Sequence, residues 1–475
     1  MNTSNNKNQG SASKKQRVQD DRGTVYELSE KLAEGGQGVV LRTRHDSRLL
    51  VKVSKWPDSD PRTQAWQRQI QVVHRMPIVE NELPIAMPMA LIVKPRAGYV
   101  MELMEGLVPL EDLLIQAQEA FNQGNGLQGF VASGGLDRRL RLLARLARVM
   151  AKLHGLAIAH GDLSPKNVFV SSSHEHAQVW LIDCDNLSYA VRDSSLQLYT
   201  PDYGAPELLR GEAGISTYTD VWSFAVMAFQ LLAALHPFKG GEMVDQDSEL
   251  ETPALRGELP WVDHPDDERN RACMGVSRDL VCTPALQGLF DRCFRVGLIN
   301  AEDRPAMSEW AEVLEAAAAE QVLCSTASEG CGSTFLWNAT LVCPFCDTRH
   351  AAGTALRLSH FVVAPLSELG EDAKPPDRWI PTYFHQVIAQ QPVELRAAPP
   401  GTVTYSESEL VATVWIDGDE LVIRPASRSK VLFQASGSSK LVPVPRRFSL
   451  PRNSVPHALH FGESAHIHDA WRFKW

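Results

Sequence analysis

Three side chains with oxygen acceptors, Asp162, Asn167 and Asp183, constrain the fold of this chain more than any other feature. They are separated by five and sixteen residues, and each lies beside a short apolar run typical of a buried strand. Phosphoryl transfer needs a carboxylate that accepts a hydroxyl proton, with an amide and a second carboxylate that bind a divalent cation. A helix cap or a turn would explain any one of these residues alone, so the prediction depends on their spacing.

Two features earlier in the chain fit the same chemistry. The segment Ala33–Val40 contains three glycines between apolar runs, and such a strand–turn–strand brings backbone N–H groups close to phosphates. Lys52 is the one charge in the apolar run Leu49–Val53, and a buried ammonium is costly unless an anion pairs with it. We interpret Lys52 as a phosphate-binding residue. Purely structural turn glycines and an edge-strand lysine that reaches solvent are the alternatives that these residues leave open.

In this order the motifs resemble those of the eukaryotic-like, bacterial-type serine/threonine protein kinase superfamily, over about residues 24 to 318. The resemblance implies an α+β, bilobal fold with an N-lobe at residues 23–105 and a C-lobe at residues 106–320. It identifies Asp162 as the catalytic aspartate, with Lys52 and Lys166 as the cations on the phosphates. The remaining ATP and magnesium (or manganese) contacts that it implies are Ala33, Gly35, Gly36, Gly38 and Val40 in the glycine-rich loop, Glu102 and Met104 in the hinge, and the metal ligands Asn167 and Asp183.

The resemblance extends to the segment that receives the substrate. Ala205-Pro206-Glu207, preceded by Tyr199-Thr200-Pro201, is similar to the end of an activation segment that docks a protein. We therefore expect an ATP- and magnesium-dependent kinase of serine or threonine hydroxyls. Two alternatives stay open. One is a nucleotide-binding pseudokinase scaffold, and the other is a small-molecule kinase, because His160–Pro165 also resembles the catalytic loop of sugar and antibiotic phosphotransferases.

Several residues depart from the family pattern. Gln69 stands where a glutamate normally pairs with the strand lysine. A neutral amide can hydrogen-bond Lys52 but cannot neutralise it, so we expect the ionic pair to be weakened or to be supplied by Glu80 or Glu82. Gly161 replaces the arginine before the catalytic aspartate, which predicts little dependence on activation-segment phosphorylation. Cys184-Asp185 replaces Phe-Gly after the metal aspartate, and the loss of glycine predicts one metal-ready backbone conformation. The low dependence on phosphorylation that Gly161 predicts concerns four candidate sites in the activation segment: Ser194, Ser195, Tyr199 and Thr200.

A second constellation lies after the kinase-like region. Four of the eight cysteines fall within 23 residues, and the spacing of the last two is that of a zinc knuckle. These zinc ligands are Cys324, Cys331, Cys343 and Cys346. Four thiolates predict a structural site, with His350 in reserve, in a small zinc-ribbon-like segment at residues 322–352. The tail histidines, His457, His460, His466 and His468, lack ligand spacing and are predicted to be strand or surface residues.

The ends of the chain differ in composition. Residues 1–22 contain almost no large apolar side chains, which predicts a disordered arm. Residues 356–475 alternate strand-like runs with turns, including an Asp417-Gly418 hairpin signal, and predict a β-rich, sandwich-like domain. This tail and the zinc segment are expected to recruit partners or regulate the kinase.

Charge and hydropathy exclude some partners. The net charge of −10 provides no global basic field, and no apolar run is long enough to span a bilayer. We therefore expect a cytoplasmic protein that binds neither nucleic acid nor membrane. Its partners would be a protein substrate and, by resemblance to bacterial kinases with appended ribbons, a metal-dependent protein phosphatase.

Overall fold

The architecture is a mixed α+β structure followed by a four-cysteine cluster and β-rich C-terminal sheets, as the sequence predicted. This computed structural model describes residues 16–189, 199–240, 248–272, 274–325, 329–370, 372–389, 391–397, 408–463 and 465–475. Two compact units can be distinguished, one made of residues up to Glu111 with Val149–Phe224 and the other of Asp112–Arg148 with Ala225–Trp475. The lobe boundary expected at residues 105 and 106 stays a prediction.

The first unit begins with six antiparallel strands that form a closed barrel in the order β1-β2-β3-β4-β6-β5. The strands are β1 (Arg17–Asp20), β2 (Val25–Glu34), β3 (Gly38–Thr43), β4 (Leu49–Ser54), β5 (Ala90–Lys94) and β6 (Gly98–Glu102). Val51 and Ile92 are buried in the barrel core. Helix α1 (Pro61–Val73) starts at Asp60, whose side chain caps it, and it packs Trp66 and Ile70 against Tyr99 of β6.

The expected disordered arm is wrong for residues 17–20, which form β1 and pair with both β2 and β5. Val18 is 3% exposed and belongs to the barrel core, while the side chain of Asp20 accepts hydrogen bonds from the backbone of Arg22 and Thr24 and from the hydroxyl of Tyr26. Composition averaged over 22 residues hides one buried valine and one turn-forming aspartate. The part of the predicted arm before Gln16 lies outside the described residues.

The rest of the first unit consists of short strands whose connecting loops contain the candidate site. Strands β7 (Leu107–Pro109), β9 (Val168–Ser171) and β10 (Val179–Leu181) form one sheet, and β8 (Ile158–Ala159) pairs with β11 (Ser188–Tyr189). Asp162 and Asn167 lie between β8 and β9, and Asp183 follows β10. Two 3₁₀ turns, Cys184–Asn186 and Pro201–Tyr203, precede the short helix Pro206–Leu209.

Helices form much of the remaining chain before the cysteine cluster, both between β7 and β8 and after β11. The longest helix, Gly135–Gly155, is amphipathic, and its apolar stripe is fully buried. The other helices are Leu110–Asn122, Gly126–Ala132, Thr217–Ala233, Glu251–Leu255, Arg278–Val281, Pro284–Asp291, Gly297–Ile299 and Met307–Ala319, with a π-helical turn at Arg292–Val296. Within the described ranges, no helix is both long enough and apolar enough to cross a membrane.

The C-terminal region is a pair of antiparallel sheets that share one hydrophobic core. Leu358 comes from the larger sheet and Val414 from the smaller one, and both are fully buried. The predicted hairpin at Asp417-Gly418 is confirmed as the turn between the strands Glu409–Asp417 and Glu420–Pro425. The strands are β12 (Gln321–Leu323) and β13 (Thr334–Leu336) beside the cysteines; β14 (Leu356–Val363), β15 (Trp379–Ile388), β19 (Leu432–Gln434), β20 (Leu441–Pro443), β22 (Pro456–His460) and β23 (His468–Lys474) in the six-stranded sheet; and β16 (Val393–Ala397), β17 (Glu409–Asp417), β18 (Glu420–Pro425) and β21 (Phe448–Pro451) in the four-stranded sheet.

Candidate active site

Lys52 lies on β4, an interior strand of the barrel, and is 7% exposed. Its Nζ atom is 2.5 Å from Oδ1 of Asp183 and 2.5 Å from Oδ2 of Asp185. Burial by itself would lower the pKa of Lys52, but the charges of Asp185 and Asp183 outweigh it and hold that pKa above its ordinary value. Lys52 is therefore a buried, paired cation and not an edge-strand lysine that reaches solvent.

The two carboxylates that contact Lys52 differ in exposure. The Asp183 side chain is 36% exposed, whereas that of Asp185 is 2% exposed. Oδ2 of Asp185 also accepts a hydrogen bond of 2.8 Å from Nε1 of Trp66, and Oδ1 accepts one of 2.8 Å from the hydroxyl of Tyr99. Burial raises the pKa of Asp185 above its ordinary value, and the charge of Lys52 opposes this rise. Because all three neighbouring groups donate hydrogen bonds, the geometry stabilises an ionised carboxylate.

The structure contradicts the partners that the sequence predicted for Lys52. Gln69 does not bind the lysine, because its amide donates a 2.7 Å hydrogen bond to the backbone oxygen of Leu187. Glu80 and Glu82 are exposed in the turns that follow α1. The substitute carboxylate is Asp185, which lies far from the lysine in sequence and comes next to it only through folding.

The catalytic-loop residues Asp162 and Asn167 contact each other. Nδ2 of Asn167 donates to the backbone oxygen of Asp162 at 2.8 Å and to its Oδ2 at 3.2 Å. Oδ1 of Asp162 accepts hydrogen bonds of 2.9 Å from both the backbone N–H and the hydroxyl of Thr200. Burial raises the pKa of Asp162, although the Thr200 hydroxyl lowers it. A carboxylate fixed in this way beside a threonine can accept a proton from a hydroxyl group.

The backbone of the catalytic loop is held by Asp220. Its two oxygens accept hydrogen bonds from the backbone N–H groups of His160, at 2.6 Å, and of Gly161, at 2.9 Å. Gly161 has φ +84°, and a Cβ at that position would lie 2.9 Å from the backbone oxygen of Asn186. This crowding and the positive φ explain why glycine, and not arginine, precedes Asp162.

Asp183 and Asn167 have side-chain oxygen atoms of the kind that a magnesium site needs as ligands. The backbone N–H of Ile182 donates to the backbone oxygen of Asn167 at 2.9 Å, which places the segment that leads into Asp183 beside Asn167. Asp183 has a left-handed backbone, with φ 58° and ψ 55°. Since the amide nitrogen of Asn167 is used by Asp162, its Oδ1 oxygen remains the atom that can bind a cation. A carboxylate and an amide oxygen are hard ligands of the kind that magnesium prefers, so these residues fit the ion.

The glycine-rich segment is a hairpin between β2 and β3. Ala33 pairs with Val40, and Val40 pairs in turn with Lys52. Gly35 and Gly36 are exposed, and no atom lies within 4 Å of a Cβ built on either, so the turn leaves open space for a ligand. A Cβ on Gly38, in contrast, would be 2.7 Å from a backbone oxygen of β4, so close strand packing requires this third glycine.

Three other predicted site residues lie near the surface. Glu102 is exposed at the end of β6, and the half-buried Met104 follows two residues later. The side chain of Lys166 is 65% exposed, with Nζ 3.5 Å from an oxygen of Glu111. Lys166 therefore has the freedom to approach a bound phosphate, but the structure shows it paired with Glu111.

The four cysteines of the second predicted site come together. Their sulfur atoms all lie within 4.8 Å of one another, with 3.5 Å between Cys324 and Cys346 and 3.8 Å between Cys331 and Cys343. Tetrahedral zinc with Zn–S bonds of about 2.3 Å separates its sulfur atoms by about 3.8 Å. The cluster therefore fits a zinc ion, and the reserve ligand His350 is not part of it.

The remaining histidines and cysteines have structural surroundings. His460 and His468 are buried in neighbouring strands, 2.9 Å apart through their ring nitrogens. Across the described ranges, the four-cysteine cluster is the one group of His, Cys, Asp or Glu residues with metal-site geometry. The kinase-region cysteines Cys184, Cys282 and Cys293 are buried, and Cys273 lies outside the described residues.

Four residues beside the site were not identified as its members from sequence: Trp66, Tyr99, Asp185 and Thr200. Trp66 and Tyr99 look like ordinary core residues in an apolar pattern. The Asp183-x-Asp185 spacing was a usable signal, because two carboxylates close in sequence can share one buried cation. The role of Thr200 depends on a contact across 38 residues, which no local pattern indicates.

Comparison with known proteins identifies the family of this region. Residues 26–309, more than half of the chain, match the family described as protein kinase domain. Serine/threonine-protein kinase pkn2 of Myxococcus xanthus is 33% identical over 25% of this chain and 15% of its own length. Myosin light chain kinase A of Dictyostelium discoideum is 33% identical over 21% of this chain and 34% of its own length.

A longer match is to calcium/calmodulin-dependent protein kinase type 1B of Rattus norvegicus, which is 26% identical over 57% of this chain and 76% of its own length. The chain thus spans only 15% and 34% of the lengths of the first two relatives. The family match ends at residue 309, so it does not describe the cysteine cluster or the C-terminal sheets.

Proposed function

Because this chain belongs to the protein kinase domain family, we propose that it transfers the γ-phosphoryl group of ATP to serine or threonine hydroxyls of a protein substrate. The observation that carries the proposal is the convergence of two pairs in one compact unit. Lys52 contacts Asp183, and Asp162 contacts Asn167. These groups supply the cation, the proton acceptor and the metal ligands that phosphoryl transfer requires.

We assign the following roles. Asp162 orients the substrate hydroxyl and accepts its proton, while Lys52 neutralises charge on the α and β phosphates. Lys166 leaves Glu111 and approaches the γ phosphate. Asn167 and Asp183 would hold magnesium, which supplies charge neutralisation on the phosphate oxygens when bound.

The nucleotide contacts follow from the same assignment. The hairpin turn at Gly35 and Gly36 would cover the phosphates with backbone N–H groups, between Ala33 and Val40 and with Gly38 packed on β4. Glu102 and Met104 would contact the adenine ring at the end of β6.

Hydroxyl specificity is supported by Thr200, whose side chain already donates a hydrogen bond to Asp162 at 2.9 Å. The relative named serine/threonine-protein kinase pkn2 points in the same direction. Phosphorylation of tyrosine hydroxyls stays the alternative to serine and threonine specificity. The cytoplasmic location and a phosphatase partner remain predictions from the sequence.

We also propose that the four-cysteine cluster binds one structural zinc ion. Four cysteine sulfurs within 4.8 Å would leave no open position for a substrate, so the ion would stabilise and not catalyse. The zinc segment and the two-sheet domain would then act as a module for recruitment or regulation.

The test is transfer of radiolabelled γ-phosphate with magnesium and a generic protein acceptor. Asp183→Asn should abolish transfer while leaving the thermal unfolding midpoint near that of the wild type. A matched control is Asp419→Asn, since that side chain is 87% exposed in the C-terminal region and should leave transfer unchanged.

Two results would contradict the proposal. Nucleotide binding without transfer by the wild-type protein would favour a pseudokinase scaffold. Label that appears on a metabolite and never on protein would favour a small-molecule kinase.

A further inference from the structure

Asp185 connects three separate elements through one buried carboxylate. Its donors are Lys52 on β4, Tyr99 on β6 and Trp66 on α1, at distances of 2.5, 2.8 and 2.8 Å. The sequence motif that defines the metal-binding loop has glycine at this position, which could make none of these contacts. The side chain therefore adds a function that the motif itself does not supply.

Burial separates the tasks of the two carboxylates. Asp183, with 36% of its side chain exposed, can turn toward a metal ion at little desolvation cost. Asp185 is 2% exposed, and both of its oxygens already accept hydrogen bonds, so it is far less available to a metal ion than Asp183 is. When Asp183 binds a cation, Asp185 is the anion that remains beside Lys52.

Helix α1 contacts this loop without contributing a carboxylate. Trp66 donates to Asp185, and Gln69 donates to the backbone oxygen of Leu187. Both contacts are neutral donors from the helix to the loop. The negative charge for Lys52 therefore comes from the loop that follows β10.

We propose that Asp185 is a positioning residue that keeps the Lys52 ammonium directed at the nucleotide phosphates while Asp183 is engaged with metal. The inference rests on the proposed nucleotide site and deepens it. Because the anion and the metal ligand belong to one three-residue segment, Lys52 is positioned whenever that segment is folded. No displacement of α1 is needed to bring a carboxylate to the lysine.

A double-mutant cycle on Lys52 and Asp185 tests this proposal through the affinity for a fluorescent ATP analogue with magnesium. Asp185→Asn should weaken binding at least tenfold, because the lysine loses the buried carboxylate that contacts it. Lys52→Met should also weaken binding at least tenfold. Adding Asp185→Asn to Lys52→Met should change the affinity less than threefold, since Asp185 acts through the lysine.

Asp20→Asn is the matched control for loss of a buried carboxylate. Asp20 is 3% exposed in the same barrel and accepts hydrogen bonds from Tyr26 and two backbone N–H groups, without contacting Lys52. It should lower the unfolding midpoint, as Asp185→Asn does, while leaving nucleotide affinity within threefold of wild type. Equal effects of the two variants on affinity would show a merely structural role and overturn the proposal.

Two other affinity results would overturn the role proposed for Asp185. Wild-type affinity in Asp185→Asn would overturn the proposal, and so would a further tenfold loss when that change is added to Lys52→Met. If Asp185→Asn alone does not fold, the comparison of Lys52→Met with the double variant, in which both charges are neutralised, gives the answer. If the wild type binds nucleotide but transfers no phosphate, the proposed function is wrong, and the measured affinities still test the role of Asp185. If the wild type binds no nucleotide, both proposals are wrong.

Discussion

Gly161 shows how one residue sets the local conformation beside the proposed catalytic aspartate. Its φ of +84° lies in the region that glycine adopts without strain, and its N–H is bound by Asp220 at 2.9 Å. The sequence indicated only that the usual arginine is absent. The structure adds a reason, because a side chain at this position would meet the backbone oxygen of Asn186.

We predict that Gly161→Ala destabilises the protein more than Gly211→Ala does. Both glycines have positive φ, +84° and +72°, but no atom lies within 4 Å of a Cβ on Gly211. The backbone strain, about 1–2 kcal/mol, is common to both changes, and overpacking adds about 1–3 kcal/mol at Gly161 alone. Urea unfolding measures the difference, and equal losses for the two variants would contradict the packing argument.

Residue types and spacing were sufficient to predict most of the candidate site. Lys52, Asp162, Asn167 and Asp183 were identified as candidates because each fits a defined interval. Asp185 was noticed as a departure but not as the lysine's partner. That contact joins residues 133 positions apart, and its strength comes from burial that only the folded chain provides.

At the scale of elements, the cysteine segment packs on the helices that precede the catalytic loop. The ring of Phe345, between Cys343 and Cys346, stacks on Phe130 with a 6.0 Å centroid separation. The backbone N–H of Asp137 donates to the Thr334 hydroxyl at 3.1 Å. A metal that fixes this segment would therefore also stabilise the start of helix Gly135–Gly155.

We predict one zinc ion per chain, and a lower thermal unfolding midpoint after chelation or in Cys343→Ser. The reason is that metal binding contributes to folding when the ligands come from an otherwise small segment. Metal analysis and calorimetry provide the measurement, with Cys282→Ser as a control because that buried thiol lies outside the cluster. Metal-free protein with an unchanged midpoint in chelator would contradict this prediction.

The two-sheet domain contains buried histidines that should make its stability depend on pH. His460 is 4% exposed, with Nδ1 beside His468 and Nε2 3.0 Å from Oε1 of Gln434. Burial, assisted by the nearby His468, Arg378 and Arg472, lowers the pKa of His460 to about 4. The folded state therefore binds this proton less readily than the unfolded state, whose histidines titrate near pH 6.5.

The stability that the buried, neutral His460 contributes is fully present above about pH 6.5 and is lost as the pH falls toward about 4. We predict a decrease of about 2 kcal/mol in the unfolding free energy between pH 7 and pH 5. His460→Gln should flatten the dependence, whereas His45→Gln, with its side chain 76% exposed, should not. Urea unfolding followed by tryptophan fluorescence is the measurement, and an unchanged slope in His460→Gln would refute the assignment.

At the scale of the whole molecule, the fold was predictable where motifs follow one another in a fixed order. The α+β kinase fold, the four-cysteine cluster and the β-rich tail were all expected. Strand β1 was not, because its pairing with β2 and β5 depends on the closed barrel and not on local composition. The order of the ten sandwich strands was also beyond prediction, since alternating patterns do not specify which strands pair.

The most direct test of the account is a crystal structure of the protein with magnesium and a non-hydrolysable ATP analogue. We predict that Asp183 and Oδ1 of Asn167 coordinate the metal, that Asp162 faces the γ phosphate, and that Lys52 contacts the phosphates while keeping Asp185. A nucleotide bound elsewhere, or these side chains pointing away from the triphosphate into solvent, would contradict the central claim.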